Sequence, residues 1–310
     1  MPSRTDKPAY LVPPASEAEF HAAMQSIDEL MQREGVPIHG RGLRAGLEYA
    51  RRHGLTLKFA RTGQSGTPGN YSDQYADAHI RDWIDARYGD RQNISWGPGK
   101  VVVLLRGDPW ALRLPLIYGS VRLVVERDLD RYSSEPAVST GGPLPIVNIL
   151  PLIEGLPKAL AAQLTNTECQ EIFRIFRLSL DNMRAIERLK GQPFAPEIQS
   201  DITAALTHML SVPPHFGQSK WASCQAAEKA IKCLLKVRNA EFPWSHRLQS
   251  LAALAETQGV QLDATAIAHA SVPAGVRYGE MVVGLEEAFN AHHASLLIGQ
   301  QVSTALAPGA

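Results

Sequence analysis

The chain has 310 residues, of which 45% are hydrophobic and 20% are charged, so it can bury the core of one large domain or two ordinary ones. Lys plus Arg and Asp plus Glu both number 31, and the resulting net charge of zero excludes a global attraction to nucleic acid or anionic membranes. Three cysteines without metal-ligand spacing, no apolar leader and no uncharged apolar stretch of about 18 residues predict a reduced, cytoplasmic protein without a disulfide framework or a membrane span.

The first part of the chain is predicted to contain helices and one early strand. Ser16 and Glu19 form a capping-box pattern at the start of an apolar period of helical spacing. Further helices are predicted over 41–52 and 72–88, and the alternating run 55–60 predicts a strand.

Three short apolar runs between residues 101 and 127 are rich in Val and Leu and are separated by Gly-Asp and Gly-Ser turns. This pattern predicts a small antiparallel meander. We therefore predict an α+β domain of unknown role over residues 1–132. The Pro-, Gly- and Ser-rich segment 133–145 is the expected linker.

Residues 146–310 contain a series of segments with helical periodicity, and their short connections predict an all-α antiparallel bundle. Thr165 and Glu168 form a second capping-box pattern at the start of a long helix. Another helix follows and is expected to end before Pro213 and Pro214.

Residues 216–256 predict two helices joined by a corner that contains proline. Ser219 is the expected N-cap of the first helix. The apolar stripe of this helix consists of Trp221, Cys224, Ala227, Ile231 and Leu235, and a neighbouring basic face carries Lys229, Lys232 and Lys236.

The segment SCQAAEKAIKCLL followed by FPWSHRLQSLAALAE resembles the HEPN domain family over roughly residues 143–304. The QAAEKA segment and the FPWSH corner carry the resemblance. It implies a small helical bundle that dimerises, in a family that pairs with nucleotidyltransferases and includes ribonuclease toxins. A bacterial defence or toxin-antitoxin setting is the corresponding expectation.

The ribonuclease branch of that family uses an Arg followed by a His about four to six residues later, near the start of the last helix. Histidine exchanges protons near neutral pH, and arginine stabilises phosphoryl charge bidentately. The matching position is Arg277, but no histidine follows it until His292. An alternative catalytic pair is Arg238 with His246, although their separation exceeds the family spacing and they lie at a different corner.

Arg277 and Tyr278 instead resemble the arginine-tyrosine pair of non-nuclease members, in which the domain is thought to bind a nucleotide or a partner chain. We therefore expect a non-catalytic HEPN-type domain that binds a nucleotide, RNA or a partner protein and forms a homodimer. The predicted ligand-binding residues are Lys229, Lys232, Lys236, Arg277 and Tyr278. A metal-independent HEPN endoribonuclease and a purely structural adaptor are the alternatives.

No cofactor and no metal are expected. His292 and His293 are adjacent and have no carboxylate or histidine one helical turn away, which argues against a zinc site. The glycine-rich segment 63–70 lacks the lysine of a phosphate-binding loop.

Overall fold

The computed structural model is mostly helical and contains a small antiparallel two-stranded sheet. Its contacts divide the chain into two compact units, Met1–Ile94 and Ser95–Ala310. The structure describes residues 10–55, 70–71, 73–92, 97–117, 119–134, 144–243, 247–277 and 280–307.

The described residues of the first unit form three helices, α1 (Glu17–Arg33), α2 (Ile38–His53) and α3 (Asp73–Tyr88), followed by a 3-10 turn over Gly89–Gln92. The Ser16 cap is confirmed, because its hydroxyl accepts from the backbone N–H of Glu19 at 3.3 Å. The described residues of this unit include no strand, and the predicted strand over 55–60 lies, apart from Leu55, outside them.

A buried carboxylate joins the three helices of the first unit. Asp28 on α1 is fully buried and accepts hydrogen bonds from Tyr88, from Arg87 Nε at 2.8 Å, from Gln32 at 2.8 Å and from Arg41 at 3.4 Å. Burial raises the pKa of Asp28, but the hydrogen bonds from Tyr88, Arg87 and Gln32 outweigh it, so that the pKa lies below its usual value. The carboxylate is therefore ionised, and its hydrogen bonds are made to residues of the same unit.

The second unit begins with a β-hairpin of β1 (Gly99–Leu105) and β2 (Asp108–Leu114). Its two-residue turn has positive φ at Arg106 (52°) and Gly107 (89°), as the twist of a tight hairpin requires. The predicted antiparallel sheet is confirmed for the first two runs, whereas the third run does not continue it: that run forms β3 (Arg122–Val124), which pairs in parallel with β4 (Ile146–Asn148).

The hairpin belongs to the helical unit, and this corrects the predicted domain boundary at 133–145. Val101, Val103 and Leu105 of β1 are buried in the same core as the helices that follow, together with Leu112 and Leu114 of β2. Alternate side chains of a strand share one face, so the apolar face of the hairpin is covered by the helices that follow it. The described part of the predicted α+β domain is thus divided between the two units at Ile94.

The helices of the second unit pack around α7, which contacts α6, α8 and α11. The reciprocal capping box of Thr165 and Glu168 at the start of α5 is confirmed. The helix bounds are α4 (Lys158–Ala162), α5 (Asn166–Glu187), α6 (Ala195–Leu210), α7 (Phe216–Val237), α8 (Leu248–Thr257), α9 (Ala264–Ala270), α10 (Ala274–Arg277) and α11 (Leu285–Ala305).

Helix α7 is more deeply buried than its predicted amphipathic pattern indicates. Every residue from Ala222 to Leu235 is buried except Gln225 and Lys229, because many of these side chains are small and let α6 and α11 approach closely. The predicted Ser219 cap is wrong: α7 begins at Phe216, and the buried Ser219 hydroxyl donates instead to the carbonyl of Ala205 on α6 at 2.8 Å.

Candidate functional site

The three predicted lysines of α7 line one cleft on the second unit. Lys229, Lys232 and Lys236 follow one another at three- and four-residue intervals, which places them on one side of a helix. We call this site, of about 570 Å³, the lysine cleft; it is lined by Phe194, Gln225, Glu228, Lys229, Lys232, Lys236, Asn239, Ala240 and Phe242. Its size is within the range of small-molecule sites.

Two of the three lysines are paired with carboxylates. Lys232 donates to Glu228 at 2.6 Å, and this pair is buried. Lys229 donates to Asp201 of α6 at 2.5 Å. Burial raises the pKa of Asp201 in spite of the opposing hydrogen bond from Lys229. The predicted basic face is therefore a partly neutralised wall of a cleft.

Lys236 differs from the other two lysines. It is exposed, and the described residues place no carboxylate within ion-pair distance of its ammonium group. Its Nζ atom lies 5.5 Å from the centre of the Phe194 ring, while Lys232 Nζ lies 5.9 Å from the centre of the Phe242 ring. Both distances fall within the range of cation–π contacts.

Two residues that line this cleft have a left-handed backbone conformation. Phe194 has φ 64° and Asn239 has φ 54°, and they are two of the three described non-glycine residues with positive φ. Asn239 occupies the left-handed position after α7, with the backbone bonds Asn239 to Lys236 and Ala240 to Leu235 of a Schellman motif. A bulky residue such as phenylalanine rarely adopts this conformation, and such strain is typical of functional sites.

Phe194 and Phe242 were missed as site residues from the sequence. Phe242 lies in the proline-containing corner and Phe194 in a connection between two helices, so neither belongs to a periodic face. The proline that follows each of them by one or two positions marks a chain reversal, which is the signal that points to such rings.

Arg238, half of the alternative catalytic pair, is used by the fold. One guanidinium nitrogen donates to the carbonyl of Gln258, just after α8, and another donates to the carbonyl of Ala305 at 3.1 Å, at the end of α11. These carbonyls have no partner further along their own helices, so the guanidinium caps both C-termini. A positive group also suits the negative ends of the two helix dipoles.

Replacing Arg238 by Leu is expected to lower the free energy of unfolding by about 2 kcal/mol, because two backbone carbonyls lose a charged donor. Urea denaturation followed by circular dichroism measures the change. Arg177→Leu, at an exposed position of α5, is the matched control and should change stability by less than about 0.5 kcal/mol. An R238L variant as stable as the wild-type chain would contradict the capping role.

The remaining predicted site residues cannot be placed in the cleft. His246 and Tyr278 lie outside the described residues. Arg277 is the last residue of α10, but the structure describes nothing of its side chain. The pairing of Arg238 with His246 and the ligand contacts of Arg277 and Tyr278 therefore stay predictions.

The two histidines of α11 face the interior. His292 is fully buried, and neither of its ring nitrogens makes a hydrogen bond within the described part of the chain. His293 Nε2 donates to the carbonyl of Val102 on β1 at 2.9 Å. Burial lowers the pKa of His292 to about 3 and that of His293 to about 4, so both are neutral at neutral pH.

His293 also lines a second cleft, of about 490 Å³, between α5, α9 and α11. Arg174 at its rim is paired bidentately with Glu171 at 2.5 and 2.8 Å. Because His293 is neutral and its Nε2 is engaged by Val102, His293 is not placed to act as a general acid in this cleft. Within the described ranges, no group of three or more His, Cys, Asp or Glu side chains is placed to hold a metal ion.

None of the helices in the described residues is both long enough and apolar enough to cross a membrane. Comparisons with protein-family models, with curated proteins and with solved structures found no match to this chain. The resemblance to the HEPN family and the function that it implies therefore remain predictions from the sequence.

Proposed function

We propose that this chain is a non-catalytic HEPN-type protein whose lysine cleft binds a nucleotide. The observation that carries the proposal is that three lysines and two phenylalanine rings meet in one cleft of nucleotide size. Lysines contact phosphate oxygens, and an aromatic ring offers a face on which a base stacks.

The placement of the aromatic rings supports this function further. Phe194 is held in a left-handed backbone conformation, beside the ammonium group of Lys236. A ligand that stacks on this ring brings its phosphate next to the one lysine that has no carboxylate partner among the described residues. The site thus offers a stacking surface and a charge at neighbouring points.

The alternative catalytic reading has less support. The guanidinium of Arg238 is occupied by two backbone carbonyls, and the two histidines of α11 are neutral and turned inward. Homodimer formation and binding of a partner protein remain part of the proposal as expectations from the family resemblance. The purely structural adaptor remains the alternative in which the lysine cleft stays empty.

Adenine nucleotides are expected to bind the wild-type chain and to bind Lys236→Met at least about tenfold more weakly. Titration calorimetry measures the affinity, and thermal unfolding gives a second readout, since a ligand at a hundredfold excess over its Kd stabilises by about 2.7 kcal/mol. Lys158→Met, which removes a surface lysine paired with Asp130, is the matched control and should leave binding unchanged.

The same samples separate the alternatives. Equal affinity of wild-type and K236M chains would show that the nucleotide binds elsewhere on the chain. If no nucleotide binds, the structural adaptor is favoured. Short RNA incubated with the protein should stay intact on a gel. RNA cleavage that is lost in His246→Ala would overturn the proposal in favour of the endoribonuclease.

A further inference from the structure

The charges of the lysine cleft nearly cancel. Lys229 is paired with Asp201 and Lys232 with Glu228, whereas Lys236 has no such partner within the described residues. Three ammonium groups and two carboxylates leave one positive charge. A ligand therefore meets a single uncompensated cation, although three lysines line the cleft.

The two pairs cannot easily be given up to a ligand. The side chains of Lys232 and Glu228 are only 8% and 4% exposed, so an anion that took Lys232 would draw the balancing ammonium group away from the buried carboxylate of Glu228. Lys229 and Asp201 are 26% and 20% exposed, which also shields their pair from water. Binding an anion to a lysine of either pair therefore costs more free energy than binding it to an exposed lysine.

Surplus negative charge on the ligand is also repelled. The carboxylate of Glu228 lines the cleft itself, and that of Asp201 lies 2.5 Å from Lys229 at its wall. Each phosphate charge beyond the first would face these carboxylates without a free lysine to balance it. The two phenylalanine rings, in contrast, favour a planar ring next to the anion.

We infer that the lysine cleft selects a ligand with one negative charge beside a planar ring, such as a nucleotide phosphodiester, and discriminates against di- and triphosphates. Asp201 is the residue that sets this preference, because it neutralises Lys229 from the neighbouring helix. The inference rests on the proposed function and narrows its ligand class.

The test is a calorimetric titration with ligands that share adenine but differ in charge. Cyclic AMP and the dinucleotide ApA each carry one phosphodiester charge, and AMP and ATP carry more. The wild-type chain should bind the better of the two phosphodiesters at least about tenfold more tightly than ATP. Which of the two binds better distinguishes a closed mononucleotide from an RNA fragment as the source of the phosphodiester.

Asp201→Asn removes one carboxylate and raises the net charge of the cleft from one to two. This variant should shift the preference toward AMP, relative to cyclic AMP, by about tenfold. Asp181→Asn, at an exposed position of α5, is the matched control and should keep the wild-type order of affinities. Circular dichroism checks that D201N is folded, and the charge series on the wild-type chain stands without it.

The outcomes separate the inference from the function on which it rests. If affinity in the wild-type chain rises with the number of phosphates, the charge selection is overturned while nucleotide binding stands. If D201N folds and keeps the wild-type preference, Asp201 does not set it. If none of the four ligands binds, the proposed function fails and the inference fails with it.

Discussion

Asp28→Asn is expected to lower the free energy of unfolding of the first unit by about 3–5 kcal/mol. The substitution leaves Arg41 and Arg87 without their common carboxylate, and the Arg41 side chain is only 12% exposed. Because Asp28 accepts hydrogen bonds from α1, α2 and α3, its loss loosens all three helices. Hydrogen exchange of peptides from these helices reads this unit separately from the other.

The pH dependence gives an independent check on Asp28. Its pKa is lowered in the folded chain, so its contribution is complete above the unfolded value of about 4 and is lost as the pH falls through the folded pKa. The stability difference between wild type and D28N should therefore shrink below about pH 4. Glu29→Gln, at an exposed neighbouring position, is the control and should change stability little. A D28N effect as small as that of E29Q would contradict the role of Asp28 in joining the three helices.

Lys232→Met is expected to lower the free energy of unfolding of the second unit by about 3–5 kcal/mol. The change removes the ammonium group that lies 2.6 Å from Glu228 and leaves that carboxylate buried. Restoring the charge balance should recover most of the loss, so Glu228→Gln combined with Lys232→Met is expected to be more stable than K232M alone. Urea denaturation of the single and double variants completes the cycle.

Lys236→Met is the matched control for this prediction. It removes a lysine from the same helix, but from an exposed position that has no described carboxylate partner, so stability should change by less than about 0.5 kcal/mol. A loss in K236M as large as that in K232M would show that burial of the pair is not the cause. A double variant no more stable than K232M would show that the charge of Glu228, left without the Lys232 ammonium group, is not the cause of the loss.

Local signals in the sequence predicted the elements that depend on local physics. The N-cap of Ser16 and the capping box of Thr165 mark the starts of α1 and α5, because side chains satisfy the free backbone groups of the first turn. The spacing of the three lysines of α7 predicted that they share one face, and they were predicted as ligand-binding residues. The structure places them in one cleft, and their ligand remains a prediction.

Features that depend on long-range packing could not be predicted in the same way. The hydrophobic runs of β1 and β2 show that these strands are half-buried, but not whether a helix before or after them covers that face. The partner of Lys229 is Asp201, on a neighbouring helix, and no sequence spacing relates the two. The sequence therefore indicated a basic face, whereas the tertiary contacts make it nearly neutral.

The guanidinium of Arg238 has a consequence for how the second unit opens. It extends from the end of α7 and caps α8 and α11 at once, so the final turns of two helices that are distant in sequence depend on one side chain. Fraying of either helix end removes one of the two carbonyls that position the Arg238 guanidinium. The bond of the guanidinium to the other helix end is then weakened. We therefore expect local opening at this end of the unit to be shared, with the three helix termini exchanging with solvent together.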